Sequence, residues 1–327
     1  MTQPREDIDI VKSDWALISG LHRFAHEAMA ATFEIFISHE DKRYAQQAAG
    51  AAFDMLDQFD QDLSRFIENS DISRINNLSA GQPLKVCLDT FECLQLCRRM
   101  HAETNGVFDI TVGSLLKCLL NKDKTLRNPS EQELNRARQR TGMGLLRLNE
   151  ANYTVELLRD GVQIDLGGIG KGYGVDKMAE LLREWSIDVA LIHGGYSSVL
   201  AMGAPKGTKG WPVTLSHPRK RKQTLARLVL ENRAVSGSGL QRGRHIVDPR
   251  TARPVEAKSA TWACARDAAS TDALSTTFMV MTPDEVKQYC SRHRDVSAML
   301  VMAQWGKEPR QEKILTFGRW KESELLF

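Results

Sequence analysis

The stretch IDLGGIGKGYGVDK, residues 164–177, joins a short apolar segment to the start of an amphipathic helix through glycines at 167, 168, 170, 172 and 174. A strand running into a helix through so little side chain leaves backbone N–H groups near a positive helix end. Glycine lets that backbone come within hydrogen-bond range of a bulky anion, and Lys171 adds a mobile positive charge. The competing explanation is a tight strand–helix crossing in which the glycines only permit close packing. Taken alone, the stretch weighs the two equally. It does exclude two common nucleotide motifs. No register supplies G-x-G-x-x-G, and Lys171 is followed by Gly172 where a P-loop needs Ser or Thr.

Outward from this junction, helices and strands intermix. The spacing predicts a strand over 32–37 (TFEIFI), then a helix over 41–63 with Ala45, Ala49, Ala52, Phe53, Leu56 and Leu63 on one stripe. A helix over 89–104 is opened by Asp89 and Glu92 as a reciprocal cap. The charged 121–142 segment reads as helical, introduced by RNPS at 127–130, and YTVELL (153–158) and GVQIDL (161–166) read as strands. Residues 173–186 are helical, with Val175, Met178, Leu181, Leu182 and Trp185 on one side. Strands follow at 188–193, 212–216, 225–235 and 243–247, a helix at 270–281, and closing strands at 296–303 and 313–317. TPDE at 282–285 opens a further helix, with Thr282 capping, Pro283 in the first turn and Glu285 completing the box. No strict βαβ rhythm appears. The expectation is α+β: one compact domain of mixed or antiparallel sheets with packed helices over 26–327, after an N-terminal arm at 1–25.

The bulk composition excludes several functions. The chain has 327 residues, is 42% hydrophobic and carries a formal charge of +3, too little to argue for nucleic acid or a membrane surface. PRKRK at 218–222 reads as a solvated loop. No apolar run approaches the roughly 18 residues of a membrane helix. The polar, acidic start MTQPREDIDIVKSDW lacks the features of a secretory leader, which implies a cytoplasmic location. Cys87, Cys93, Cys97, Cys118, Cys264 and Cys290 lack zinc-type spacing and read as free thiols, mostly buried.

Three further stretches carry chemistry. GVFDITVG (106–113) sets Phe108 and Asp109 just before the start of an expected strand. SGLQRGRHIVDPRTARP (238–254) presents His245 and Asp248 on a turn. AASTDALSTTFMVM (268–281) stacks Asp272 and Thr276 on one helical face. A carboxylate and a hydroxyl so placed are oxygen donors suited to a hard cation such as Mg²⁺. The alternative is helix capping by Asp272, which the pair alone favours. As a surface carboxylate, Asp272 is expected to matter little for stability.

Together with MAATFEI (29–35), LSRFIENSDISRIN (63–76) and IHGGYSS (192–198), these stretches resemble the FAD:protein FMN transferases, the ApbE-like flavin transferases. The resemblance spans Met29 to Met281, and the order of the motifs carries it more than any one of them. It implies an ApbE-like, T-fold-related architecture. It also implies an enzyme that binds FAD with a divalent metal and moves FMN to a Thr or Ser hydroxyl of an acceptor protein, releasing AMP. Carried over by position, flavin and adenine contacts fall on Met29, Phe66, Val107, Phe108, Asp109, Asp165, Lys171 and Ile246. The Mg²⁺ ligands fall on Asp272, Thr276, a backbone carbonyl near Gly168, and Ser275. His245 matches the proposed catalytic base. A metal bridging two phosphates, helped by backbone N–H groups and Lys171, stabilises charge on the leaving AMP, while a histidine takes the hydroxyl proton.

The chain departs from the family pattern at four places. Met29-Ala30-Ala31 replaces Met-Gly-Thr, Phe66 replaces a tyrosine, Ser114 stands for a proline, and Ala252 stands for a glycine. A divergent member results, for which two alternatives stand: an FAD-binding relative without transfer, or an FAD pyrophosphatase giving FMN and AMP. No acceptor-type segment occurs within the chain, and the sequence leaves the oligomeric state open.

Overall fold

Eight antiparallel strands form the central sheet, in the spatial order Ile314–Phe317, Ser297–Met302, Lys258–Ala265, Arg233–Gly239, Ser198–Met202, Ala190–Gly194, Ala31–Ser38 and Leu21–Ala28. The structure is a computed structural model that describes residues 11–13 and 20–327, except 122, 124, 221, 242, 244, 304–311 and 322. Most of the expected arm over 1–25 lies outside the described residues, but Leu21–Ala28 is a strand from its first residue. Side chains alternate between the two sheet faces, and both faces are buried. Phe33, Ile35 and Ile37 point to a helical layer and Phe36 to the opposite side; Ile192 and Leu191 divide in the same way. Double burial explains why such strands read as continuous apolar runs.

On one face lies a second sheet, ordered Val11–Ser13, Trp211–Ser216, Thr224–Leu230 and Ser323–Leu325. Its Trp211, Val213, Leu215 and Leu228 share a core with Val235, Trp262 and Met299. The helices are α1 (Lys42–Leu63), α2 (Asp71–Asn76), α3 (Leu88–Glu103), α4 (Gly113–Leu119), α5 (Glu131–Gln139), α6 (Gly170–Glu184), α7 (Ala268–Val280) and α8 (Pro283–Arg292). On the other face α1 and α6 pack through Ala45, Ala49, Ala52, Val175 and Met178. A small sheet of Pro83–Lys85, Thr154–Leu157 and Leu146–Asn149 sits with α2–α5, and its apolar cluster runs unbroken from Phe91 and Val155 to Leu274 and Phe278 of α7. Among the described residues no helix is long and apolar enough to cross a membrane.

Helix α7 is buried on nearly all sides, so its end groups need partners from elsewhere. Asp267 accepts from Ser270 N, and Asp176 of α6 accepts from Ala268 N and Ala269 N, both at 2.8 Å. In return Asp272 of α7 accepts from Gly172 N of α6 at 3.0 Å. The two helix starts thus cap each other. At the far end Lys258, only 2% exposed, donates to Met279 O and Met281 O. Burial pushes its ammonium down to about 8.

Several local expectations change. α3 is capped by Cys87, whose sulfur accepts from Thr90 N; Asp89 and Glu92 lie inside the helix and face Lys177 instead, at 3.8 and 2.8 Å. Residues 161–166 make no strand, because Gln163 bridges only Val112 and Asp165 N is taken by Ile110 O. The 225–235 run is two strands in different sheets, broken at Asn232 with φ 49°. The strand expected just after Asp109 is instead one isolated bridge at Val112 and then helix α4. Among the described residues of 121–142 only α5 is helical, with the Ser130–Glu133 box. Among the described residues of 243–247 only Val247 pairs as a strand, in Val247–Asp248 with Arg253–Pro254. The Thr282–Glu285 box forms as expected. Cys93, Cys97, Cys264 and Cys290 are buried free thiols, whereas Cys87 and Cys118 are partly exposed.

Two of the four departures sit in left-handed backbone. Met29 and Ala30, at φ 51° and 55°, form the two-residue turn between Ala28 and Ala31, and Ala252 has φ 55°. A turn of this kind wants positive φ at both central positions, which suits glycine and strains alanine. Ala30→Gly, at an exposed site, is therefore expected to stabilise the fold by about 1 kcal/mol in denaturant titration. Ala252→Gly should gain less, because it also removes a buried methyl from the cluster with Leu115 and Val247.

Burial, with Asp267 nearby, raises Asp176 to about 7 against the two N–H bonds that favour its carboxylate. A folded value above the unfolded one means that the native state holds the proton more tightly between pH ~4 and ~7. The contribution of this group to stability is then greatest below pH ~4 and declines as pH rises to ~7. Thermal melts of Asp176→Asn should lack that part of the slope. Because the amide turns an NH₂ towards one helix-start N–H, the variant should also lose about 1–3 kcal/mol at acid pH.

Candidate functional site

The glycine junction reaches the sheet's central helix α7 through two contacts that explain its composition. A Cβ at Gly172 would lie 2.2 Å from Ala268 O, so close helix crossing forces glycine there. At Gly168 a Cβ would meet the Thr276 side chain, with Oγ1 at 3.3 Å. The packing explanation thus holds at Gly172, while Gly168 sets bare backbone beside the Thr276 hydroxyl. α6 has no side-chain cap of its own; Asp272, 3% exposed, provides the acceptor for Gly172 N. Lys171 Nζ stands 4.0 Å from the same carboxylate oxygen, a loose pairing for a side chain one quarter exposed. Asp272 is therefore no surface carboxylate. It is buried and structural as well as chemically placed, which corrects the expectation that its loss leaves stability untouched.

Asp165 shapes the turn before α6. Its Oδ1 accepts from Gly167 N at 2.7 Å, and its Oδ2 faces Arg65 Nε at 3.2 Å. The Arg65 guanidinium also lies over the Phe66 ring, 4.7 Å from the centroid. Phe66 is 84% exposed, a large aromatic left open beside the junction. Met29 donates its N–H to Asp60 Oδ2 at 2.9 Å, and its sulfur end approaches Gly174.

The 106–113 stretch runs alongside, joined by Asp165 N to Ile110 O at 2.8 Å. Val107 and Phe108 are buried in the α7 cluster. Both oxygens of Asp109 are engaged locally: one accepts from Thr111 N and Oγ1, the other from Met143 N, with His101 Nδ1 at 3.6 Å. On α7, Ser275 Oγ is buried and donates to Asp272 O at 2.9 Å. Ser238 Oγ, from the neighbouring strand, lies 2.8 Å from Ser275 Oγ and 3.1 Å from Thr276 Oγ1.

Ile246 packs with Met279, three residues beyond Thr276 on α7, so the His245 segment docks one turn along the same helix. His245 Nδ1 lies 2.9 Å from Gly243 O. A carbonyl only accepts, so Nδ1 carries the proton, and in the neutral form of the ring the lone pair belongs to Nε2.

Among the described residues no group of three or more His, Cys, Asp or Glu side chains is placed to hold a metal. A cation here would have to draw on mixed oxygens such as the Asp272 carboxylate, the Thr276 hydroxyl, backbone carbonyl near Gly168 and oxygens brought by a ligand. That hard-donor set fits Mg²⁺, which keeps few protein ligands and completes its shell with phosphate or water. Sequence reading missed Arg65, Asp176 and Ser238. Asp176 lay inside the decisive stretch, but its partners are backbone groups of a helix 92 residues away. Arg65 and Ser238 carry no local signal.

Comparisons with known proteins bear on the family and the fold. The ApbE family model matches residues 29–300. An FAD:protein FMN transferase of Chlamydia muridarum is 30% identical over 232 residues, covering 68% of this chain and 70% of that protein. Another, from Klebsiella pneumoniae, is 26% identical over 277 residues, covering 80% and 79%. The apo structure of Pseudomonas stutzeri flavinyl transferase ApbE superposes with a TM-score of 0.80 at 23% identity, over 93% of this chain and 96% of that one, a likeness of fold.

Because Gly172 admits no side chain, Gly172→Ala must part α6 from α7. Overpacking of this kind is expected to cost about 1–3 kcal/mol or more. Calorimetry should show the loss.

Proposed function

The chain belongs to the ApbE family, and on that premise we propose that it transfers FMN from FAD to a threonine or serine hydroxyl of an acceptor protein, with release of AMP. The observation that supports this most is the meeting of Gly168, Lys171, Asp272 and Thr276 at one helix crossing. It puts one carboxylate, one hydroxyl, bare backbone and one mobile cation within reach of a diphosphate.

In this reading Asp272, Thr276 and a backbone carbonyl near Gly168 would hold a divalent cation, Mg²⁺ by its donor chemistry. When bound, the ion offsets negative charge across the two phosphates. Ser275 stands behind the set rather than in it, since its buried hydroxyl is committed to Asp272 O and Ser238. Lys171 adds charge to the phosphate oxygens. Phe66 offers an open ring face for stacking, and Met29, Val107, Phe108 and Ile246 supply apolar wall. Asp165 and Asp109 act by holding their turns, through Gly167 N and through Thr111 and Met143. The acceptor hydroxyl forms a new bond to the FMN phosphorus as the bond to the AMP oxygen breaks. Its proton passes to His245 Nε2, the ring nitrogen left basic by the Nδ1 contact with Gly243 O.

The direct experiment incubates the protein with FAD, Mg²⁺ and an acceptor protein of the family's relatives. The expected result is an FMN mass gain on the acceptor together with free AMP. FMN and AMP released without a labelled acceptor would identify a pyrophosphatase instead, and tight FAD binding with no AMP a binding protein.

Asp272→Asn keeps an acceptor for Gly172 N while removing the charge. It is expected to fold, to retain FAD binding without metal, and to lose metal-dependent turnover. His245→Ala is expected to lower kcat by about 10²–10⁴-fold with little change in KM for FAD. A change confined to KM would make it a binding residue.

A further inference from the structure

The hydroxyls around Thr276 form a chain with a fixed direction. Ser275 Oγ lies 2.9 Å from Asp272 O, and a carbonyl only accepts, so the Ser275 proton is spent there. Ser275 must then accept from Ser238, at 2.8 Å, and this spends the Ser238 proton. The last contact, 3.1 Å between Ser238 Oγ and Thr276 Oγ1, is a hydrogen bond only if Thr276 donates. One assignment alone makes every contact a bond: Thr276 to Ser238 to Ser275 to Asp272 O. Neighbouring bonds hold the chain still. Thr261, opposite Ser238 in the sheet, donates to Ser275 O at 2.6 Å, and Ser275 itself is fully buried.

A hydroxyl serves a cation only through a lone pair, and a proton aimed at the ion repels it. We propose that Ser238 is a positioning residue that draws the Thr276 proton into the sheet and leaves the lone pairs of Oγ1 for a divalent cation on the Gly168 side. The inference rests on the reading of Thr276 as a cation donor. Neither Ser238 nor the direction of this chain has a signal in the sequence, because Ser238 lies 38 residues from Thr276 and meets it only through sheet and helix packing.

The test measures Mn²⁺ affinity by electron paramagnetic resonance in the presence of FAD, and FAD affinity without metal by flavin fluorescence. Ser238→Ala is expected to weaken Mn²⁺ binding about 10–100-fold, the usual effect of losing a group that orients a ligand. Metal-free FAD affinity should stay unchanged, whereas a collapsed site would lose both. Ser238→Thr, which keeps the hydroxyl, should restore Mn²⁺ binding. Ser238→Cys, of similar shape but a weak acceptor, should resemble the alanine variant and serves in its place if alanine unfolds the protein. On a Thr276→Val background, Ser238→Ala should add no further loss. The inference is overturned if Ser238→Ala and Ser238→Cys bind Mn²⁺ as the wild type does while Thr276→Val does not. If Thr276→Val also binds normally, or the wild type takes no Mn²⁺ with FAD, the reading of the site falls and takes the inference with it.

Discussion

The mutual capping of α6 and α7 is the constraint on which the rest depends. Each helix starts in the interior, where unpaired N–H groups are costly. Asp176 serves α7 and Asp272 serves α6, and this exchange works only because Gly172 lets the backbones approach to contact. Burying two carboxylates is expensive in itself, as the upward shift of Asp176 records. Helix-start N–H groups offset that cost, and Lys258 balances the opposite end of α7.

The same exchange builds the chemistry. Asp272 is held at a set position by Gly172 N, and the oxygen that accepts from it also faces Lys171 Nζ at 4.0 Å. Thr276 follows one turn later on the same face and meets Gly168. The proposed diphosphate site needs little more than this: a rigid carboxylate, a hydroxyl, exposed backbone and positive charge at helix starts. The sheet beneath supplies rigidity through double burial, and the ring of Phe66, with Arg65 over it, is left exposed.

Sequence and structure diverge most where partners are distant. Cys87 rather than Asp89 caps α3, because Lys177, more than eighty residues on, draws Asp89 and Glu92 outward. GVQIDL is apolar enough for a strand, yet the turn at Ile110 takes its N–H and leaves no second strand to pair with. The alanines at 30 and 252 read as lost glycines, and the backbone keeps the left-handed conformation regardless. The neighbouring strands hold the turn at 29–30 in place.

What the sequence determined alone is local and periodic. The apolar stripe of α1, the Thr282–Glu285 box, the stacking of Asp272 on Thr276, and the ordered motifs from Met29 to Met281 follow from spacing along one chain. Tertiary structure decided which groups are buried and what they face. Asp272 and Asp109 read identically as carboxylates, but one meets the glycine junction across a helix crossing and the other closes its own loop. Asp176 and Ser238 acquire their roles only through contacts made after the sheet and helices pack. The reason is physical: hydrogen-bond partners and desolvation belong to the assembled interior, and no window of sequence contains them.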